Sequence, residues 1–391
     1  MRGHVKQRSK GSWSIVIDIG KDPATGKRRQ QWYTVKGTKR EADSKMRELL
    51  ETKEKGTYIH PNKLTLSDWL DKWLEGYVKI NCSVRTFDAY QSIVKIHLKP
   101  SLGSIPLTQL KPQQIQDYYS KICQEKGGLS ASSVLHVHRI LFQALKYAMR
   151  QGVLVQNAAD LVDPPRVRKP KMRTLIPTEI ARLFEVTKDG PYHAIYFTAI
   201  NTGLRQAELL GLRWRDVDLD LASLSVNQVL YKRRGICIFK EPKSEHSRRR
   251  LDLAPSLAIY LRKYRSQRQA EYIVTGAPLT DDDLVFGNTE GKPTDPSTLT
   301  HQLSKALKRA GLPHVRFHDL RHSFASLMLM AGIHPKIVSE MLGHASVTLT
   351  LDTYSHVIGG LQKAAICRLD DMLQMEIRAE NKSVSNPLAK S

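Results

Sequence analysis

The chain has 391 residues, 41% hydrophobic and 25% charged, which suits a globular protein of two or three domains. Its 61 Lys and Arg against 38 Asp and Glu leave a net charge of +23, which predicts a polyanionic partner. No apolar run is long enough to span a bilayer, Met1 to Lys10 leads into no signal-peptide core, and Cys82, Cys123, Cys237 and Cys367 show no zinc or disulfide spacing; a reducing cytosol is the expected compartment.

The first segment, residues 1–58, is expected to be a small sheet backed by one helix. Ser12 to Ile19 reads as a strand, Asp22-Pro23-Ala24-Thr25-Gly26 as a turn, and Arg28 to Val35 as an antiparallel second strand. Val5 to Arg8 is a candidate third strand. Thr38 caps a helix running to about Lys55, with Ala42, Met46, Leu49 and Leu50 on its apolar stripe. The opening 60 residues hold fifteen Lys and Arg against seven Asp and Glu, a local charge of +8. Arg28, Arg29 and Trp32 are its candidate DNA contacts. The blander alternative is a solvated basic face with Trp13 and Trp32 filling a tiny core.

Residues 64–163 read as all helical. Helices are expected from Thr65, Ser83, Lys111-Pro112 and Ser130, each start carrying a capping residue or a proline at the first turn. Trp69, Leu70, Trp73 and Leu74, then Phe87, Tyr90, Ile93 and Val94, then Val134 to Ala148 mark core-facing stripes. Lys95, His97, Lys99, His136, Arg139, Lys146 and Arg150 stand on the opposite faces, where phosphates would meet them. Residues 164–173 form a linker whose prolines keep it extended; Arg166, Arg168, Lys169 and Lys171 make it a strap along a DNA backbone. Residues 174–376 mix helices with a short antiparallel sheet, with strands expected at Ser223–Leu230, Ile236–Phe239 and Arg249–Leu253. A polar tail, 377–391, closes the chain. The fold class is multidomain α+β.

Three motifs of the last large segment carry chemistry. Thr202-Gly203-Leu204-Arg205-Gln206-Ala207-Glu208 sets Arg205 at the start of a helix expected to run to Leu212, with Glu208 one turn on to orient Arg205 or a nearby histidine. His318-Asp319-Leu320-Arg321-His322 sets His318 and Arg321 one turn apart. Leu342-Gly343-His344 precedes Leu351-Asp352-Thr353-Tyr354. A phosphodiester resists attack, its transition state gathers charge on the non-bridging oxygens, and its leaving oxygen needs a proton. Preorganised guanidinium groups, whose forks match phosphate, answer the first need; a phenol with a pKa near 10 answers the attack only if cations and a base assist it. Taken singly, a surface arginine, a helix-turn-helix and a surface tyrosine would explain each motif. All of them in this order are harder to explain so.

These boxes resemble those of the tyrosine recombinase family, also called phage-type integrases. The resemblance implies that Arg205, Arg321 and His344 hold the scissile phosphate, that His318, supported by Glu208, positions it and assists proton transfer, and that Tyr354 forms a 3′-phosphotyrosine. It also implies a general-acid lysine in a β-hairpin turn. Lys243, in Pro242-Lys243-Ser244 before Ser247-Arg248-Arg249, is the first choice, with Lys240 and Lys232 as competitors. The middle segment is similar to the family's core-binding domain. The first looks like the arm-binding domain of integrases from temperate phages and conjugative transposons, which favours a mobile-element integrase. The implied partners are double-stranded DNA at core-type and arm-type sites, three further protomers in a homotetramer, a host DNA-bending protein and an excision factor, on a bacterial nucleoid. No metal, cofactor or membrane is implied. Two rivals stand beside this reading: a type IB topoisomerase, and a DNA-binding regulator without catalysis. A helix over Leu361–Leu373, suited to docking on a neighbour, weighs against the first.

Overall fold

The computed structural model describes residues 3–21, 26, 28–54, 64–125, 127–167, 173–233, 235–242, 247–276, 278–358, 366–367 and 369–374. The chain divides into two compact units, Met1–Lys169 and Pro170–Ser391.

In the first unit, β1 (Gly3–Ser9), β2 (Ser12–Lys21) and β3 (Arg28–Lys36) form an antiparallel sheet in the order β1-β2-β3, and α1 (Lys39–Glu54) packs on it. Strand alternation decides which residues are inside. Ile15 and Ile17 point at Ala42, Met46, Leu49 and Leu50 of α1, joined by Val5, Tyr33 and Val35. Thr38 and Glu41 exchange side-chain and main-chain hydrogen bonds at the helix start, which satisfies two of its orphan donors. The two tryptophans part company. Trp13 is half-buried and its indole donates to Gly37 O at 3.1 Å. Trp32 stands opposite Val16 with 63% of its surface exposed, so the tiny core holds only one of them.

The rest of this unit is a helical bundle. Helix α2 (66–81) and helix α3 (84–102) each contain one π turn, Leu74–Val78 and Val94–Leu98. They are followed by α4 (Pro112–Gln124) and α5 (Ala131–Arg150). Thr65 and Asp68 form a capping box at the start of α2, and Ser83 and Ser130 cap α3 and α5. The expected stripes are the core: Trp69, Leu70, Trp73, Val94, Val134, Val137, Ile140, Leu141 and Leu145 are buried together. The Trp69 indole donates to Ala144 O at 2.9 Å, tying α2 to α5. Of the cations on the outer faces, Lys95, His136, Arg139, Lys146 and Arg150 are exposed, while Lys99 is held by Asp71 at 2.6 Å. Among the described residues, no helix is long and apolar enough to cross a membrane.

In the second unit, α6 (Pro177–Thr187), α7 (His193–Thr202), α8 (Gln206–Leu209), α9 (Pro255–Val274), α10 (Pro296–Arg309) and α11 (Phe317–Met330) build one large core. Beside α11, α12 (Pro335–Leu342) and α13 (Val347–Ile358) pack around Phe324, Leu329, Val338 and Leu342. Two small sheets lie between α8 and α9. One joins β4 (Val217–Asp218), β5 (Ser223–Ser225) and β8 (Arg250–Asp252); the other is the hairpin β6 (Val229–Arg233) and β7 (Ile236–Lys240). The single strand expected over Ser223–Leu230 is therefore two strands in different sheets. The reason lies at 227 and 228: Asn227 donates to Asp216 Oδ1 at 2.8 Å and Gln228 to Gly211 O at 2.9 Å. These polar side chains turn inward to tertiary partners, and the ladder breaks there.

Candidate phosphoryl-transfer site

The site is organised by the C-terminal end of α12. Gly343 adopts the left-handed conformation that ends this helix (φ 63). A helix end leaves carbonyl oxygens without partners. Here three consecutive ones each accept a hydrogen bond from a different arginine. Met341 O accepts from Arg249 Nε at 2.6 Å, Leu342 O from Arg321 Nη2 at 2.6 Å, and Gly343 O from Arg205 Nη2 at 3.2 Å. The negative end of the helix thus faces three cations. Arg321 also donates to Gly203 O at 2.9 Å and is 2% exposed. Burial, with Arg205 nearby, pushes its pKa down to about 9.

Arg205 does not sit at the start of a long helix. Helix α8 has four residues and stops at Leu209, not Leu212, too short for a useful dipole. What fixes Arg205 is Glu208: the carboxylate takes the Arg205 N–H at 2.9 Å and Nη1 at 2.7 Å. Its other contacts are to Arg249, from Nη1 at 3.2 Å and Nη2 at 2.9 Å. Of the two roles open to Glu208 in the sequence, its hydrogen bonds go to Arg205 and a second arginine. Burial raises the Glu208 pKa, but the hydrogen bonds and charges of Arg249 and Arg205 outweigh it and hold the carboxyl below its ordinary value.

His344 follows Gly343 and is half-buried, its Nδ1 2.8 Å from Thr350 Oγ1. Burial, then the charges of Arg321 and Arg205, lower its pKa to about 4. Tyr354, on α13 one turn beyond Thr350, is 0% exposed among Phe324, Ala325, Leu329, Val338 and Leu342. The alternative of a surface tyrosine does not hold. Burial raises its pKa to about 12 against the pull of Arg321. Its hydroxyl lies 2.6 Å from His322 Nδ1. His318, exposed, stacks edge-on against His322 with ring centroids 4.8 Å apart. Arg205, Glu208, His318, Arg321, His344 and Tyr354 are thus in one region of one unit.

Lys243 lies outside the described residues. The competing lysines are both engaged: Lys232 pairs with Asp295, which caps α10, and Lys240 sits over the Tyr231 ring at 4.9 Å. Of the candidate DNA contacts, Arg166 and Trp32 are exposed. Arg28 and Arg29 open β3, but their side chains, and Arg168, Lys169 and Lys171 altogether, are outside the described residues. So are residues 361–365 and 368 of the expected docking helix; Ile366, Leu369, Met372 and Leu373 beyond them are exposed. Among the described residues, no group of three His, Cys, Asp or Glu is placed to hold a metal ion.

Sequence reasoning assigned no role to Arg249, His322 or Thr350. Arg249 and His322 stood inside quoted motifs, and the doubled Arg248-Arg249 was the available signal. For Thr350 there was none.

Comparison with known proteins places the whole. Residues 173–358 match the model of the phage integrase family, and residues 65–123 that of the phage integrase N-terminal SAM-like domain. A XerC-like tyrosine recombinase of Caldanaerobacter subterraneus is 30% identical, over 94% of this chain and 97% of its own. The ICEBs1 integrase of Bacillus subtilis is 24% identical, over 94% of this chain and 100% of its own. The chain belongs to the tyrosine recombinase family, the enzymes of site-specific DNA recombination. The fold agrees: the Tn1549 transposon integrase, solved with a circular-intermediate DNA, superposes with a TM-score of 0.67 at 22% identity, over 78% of this chain and 99% of that one. A lambda integrase tetramer bound to a Holliday junction gives 0.56 at 20% identity, over 89% and 94%.

Proposed function

We propose that this recombinase integrates and excises a mobile element through Tyr354. The phenol oxygen attacks a scissile phosphate and forms a 3′-phosphotyrosine, and a 5′-hydroxyl departs. Arg205, Arg321 and His344 hold the non-bridging oxygens, and His318 helps position them and assists proton transfer. Lys243 protonates the leaving oxygen; Lys232 and Lys240 have other partners, which supports this choice. The ester conserves bond energy, so the 5′-hydroxyl of a partner strand rejoins it without ATP.

The observation that carries this reading is the convergence of Arg205, Arg249 and Arg321 on the carbonyls of 341–343, beside His344 and in reach of the Tyr354 helix. Cations fixed before the substrate arrives need no reorganisation as charge develops. Residues 1–58 bind arm-type sites, residues 64–163 clamp the core site, and the stretch 164–173 is a strap along the DNA backbone. Four protomers on DNA exchange strands two at a time, with a host DNA-bending protein and an excision factor setting direction.

The test is a nicked suicide attachment-site substrate. Wild-type protein forms a protease-sensitive adduct and transfers strands between two DNAs, and Tyr354→Phe forms no adduct while DNA affinity stays near wild type. An adduct with relaxation but no exchange between DNAs replaces this reading with a topoisomerase. No adduct from wild-type protein leaves a regulator.

A further inference from the structure

Among the described residues, none of those assigned above touches the hydroxyl of Tyr354. His322 does, with Nδ1 2.6 Å away. The two rings are 5.8 Å apart and inclined at 58°, so the contact is edge to edge rather than a stack. His318, one turn earlier on α11, lies perpendicular to His322 and is exposed. Tyr354, His322 and His318 therefore form a file from a buried phenol to solvent.

We propose that His322 positions the Tyr354 hydroxyl and accepts its proton as the phenol attacks phosphorus. The proposal rests on Tyr354 being the nucleophile. In the step, the phenol O–H bond breaks and its proton passes to Nδ1, leaving an imidazolium. The phenolate oxygen bonds to phosphorus, the bond to the 5′-oxygen breaks, and that oxygen takes a proton from the general acid on the other side. On rejoining, His322 returns the proton to the departing phenolate.

The electrostatics favour a neutral pair at rest. Burial is the main cause that pushes the His322 pKa down to about 4 and the Tyr354 pKa up to about 12. The groups facing the imidazole are His318, Asp319, Arg321 and Arg316 from α11 and its cap, Tyr354 from α13, and His344 from the loop between α12 and α13. Among the described residues, only Asp319 favours the imidazolium, and Arg316 already holds that carboxylate at 3.0 Å. An anionic phosphate on the neighbouring arginines reverses this balance. Proton acceptance is thus coupled to the substrate being in place, and Tyr354 stays a neutral phenol until then.

A buried phenol also needs some hydrogen-bond partner for structure alone, so the test must separate holding from accepting. His322→Asn offers an amide oxygen near the Nδ1 position that accepts a hydrogen bond but not a proton. The assay is single-turnover cleavage of a nicked attachment-site substrate with a bridging 5′-thio group, whose leaving group needs no acid. Removing a positioned base is expected to slow cleavage about a hundredfold near pH 7 in both His322→Asn and His322→Ala, with the rate recovering toward pH 9.5 as hydroxide takes over. The thermal midpoint and DNA affinity of His322→Asn stay at wild-type values. Wild-type rate and pH profile in His322→Asn overturn the proposal and leave a hydrogen-bond partner only. Faster cleavage by His322→Ala overturns it in the other direction, making the histidine a latch. Tyr354→Phe runs alongside: an adduct there removes Tyr354 as nucleophile, whereas no adduct there with unimpaired His322→Asn removes His322 alone.

Discussion

Arg249 grips Glu208 with both terminal guanidinium nitrogens, Nη1 to Oε1 at 3.2 Å and Nη2 to Oε2 at 2.9 Å, and the side chains are 7% and 3% exposed. Glu208 in turn holds Arg205 at 2.7 Å. Arg249 therefore fixes Arg205 at one remove, through a shared carboxylate.

Arg249→Ala is expected to destabilise the chain by about 3 kcal/mol, the low end for breaking a buried pair, because Arg205 remains to compensate Glu208. Chemical denaturation of the full chain measures it. Cleavage should fall with it, and Arg249→Lys, which cannot make the paired contact, should recover stability better than cleavage. The Glu208 carboxyl is depressed in the folded state, so its contribution is fully present above its unfolded pKa near 4.5 and is lost as pH falls through the lower folded value. In Arg249→Ala the folded pKa rises, so that loss should be smaller and complete at a higher pH than in the wild type. An unchanged acid profile counts against the pairing.

Arg205→Ala and Arg321→Ala should each slow cleavage about a hundredfold or more, the effect of removing one preorganised charge. They should differ in stability. The Arg205 side chain is 36% exposed and Arg249 stays on Glu208, so its removal should lower the thermal midpoint less than that of Arg321. Arg321 is buried and donates to Gly203 O and Leu342 O, and each buried acceptor left without a donor costs roughly 1–3 kcal/mol. Equal midpoints for the two variants would falsify the structural half of this assignment.

Lys243→Ala should cleave ordinary DNA poorly and regain activity on a bridging 5′-thio substrate, because a thiolate departs without a proton. Lys240→Ala should show no such selective rescue, since Lys240 lies over Tyr231. Rescue of Lys240→Ala instead moves the general acid to the hairpin strand.

Deleting residues 1–60 should spare cleavage of a short core substrate yet cripple integration, because linked modules gain avidity only when both sites are engaged. The isolated segment, with its charge of +8, should bind arm-type DNA with a steep salt dependence. If the truncated chain loses core binding and thermal stability together, the module is a structural support and not a second DNA-binding site.

The helix starts at Thr65, Ser83 and Ser130 were legible because a capping side chain acts on its own first turn. The α1 stripe was legible because four apolar residues share one face. The break at Asn227 was not, since those amides find partners on other segments. Nor was the short reach of α8. The site residues could be listed from their motifs, but not their wiring. Arg321 and Gly203 are 118 positions apart, and the burial of Tyr354 comes from α11 and α12 closing over α13, although its sequence neighbours are polar.

Arg205, Arg249 and Arg321 bring three positive charges to the end of α12 against the single carboxylate of Glu208. Carbonyl dipoles soften that excess without cancelling it, and the half-buried His344 and His322 are held neutral beside it. Among the described residues, the resting site is thus electrostatically frustrated, with two units of charge uncompensated. A phosphodiester relieves that strain when it docks, so substrate should act as a folding ligand for this unit, raising its melting temperature with the logarithm of free DNA concentration above the dissociation constant.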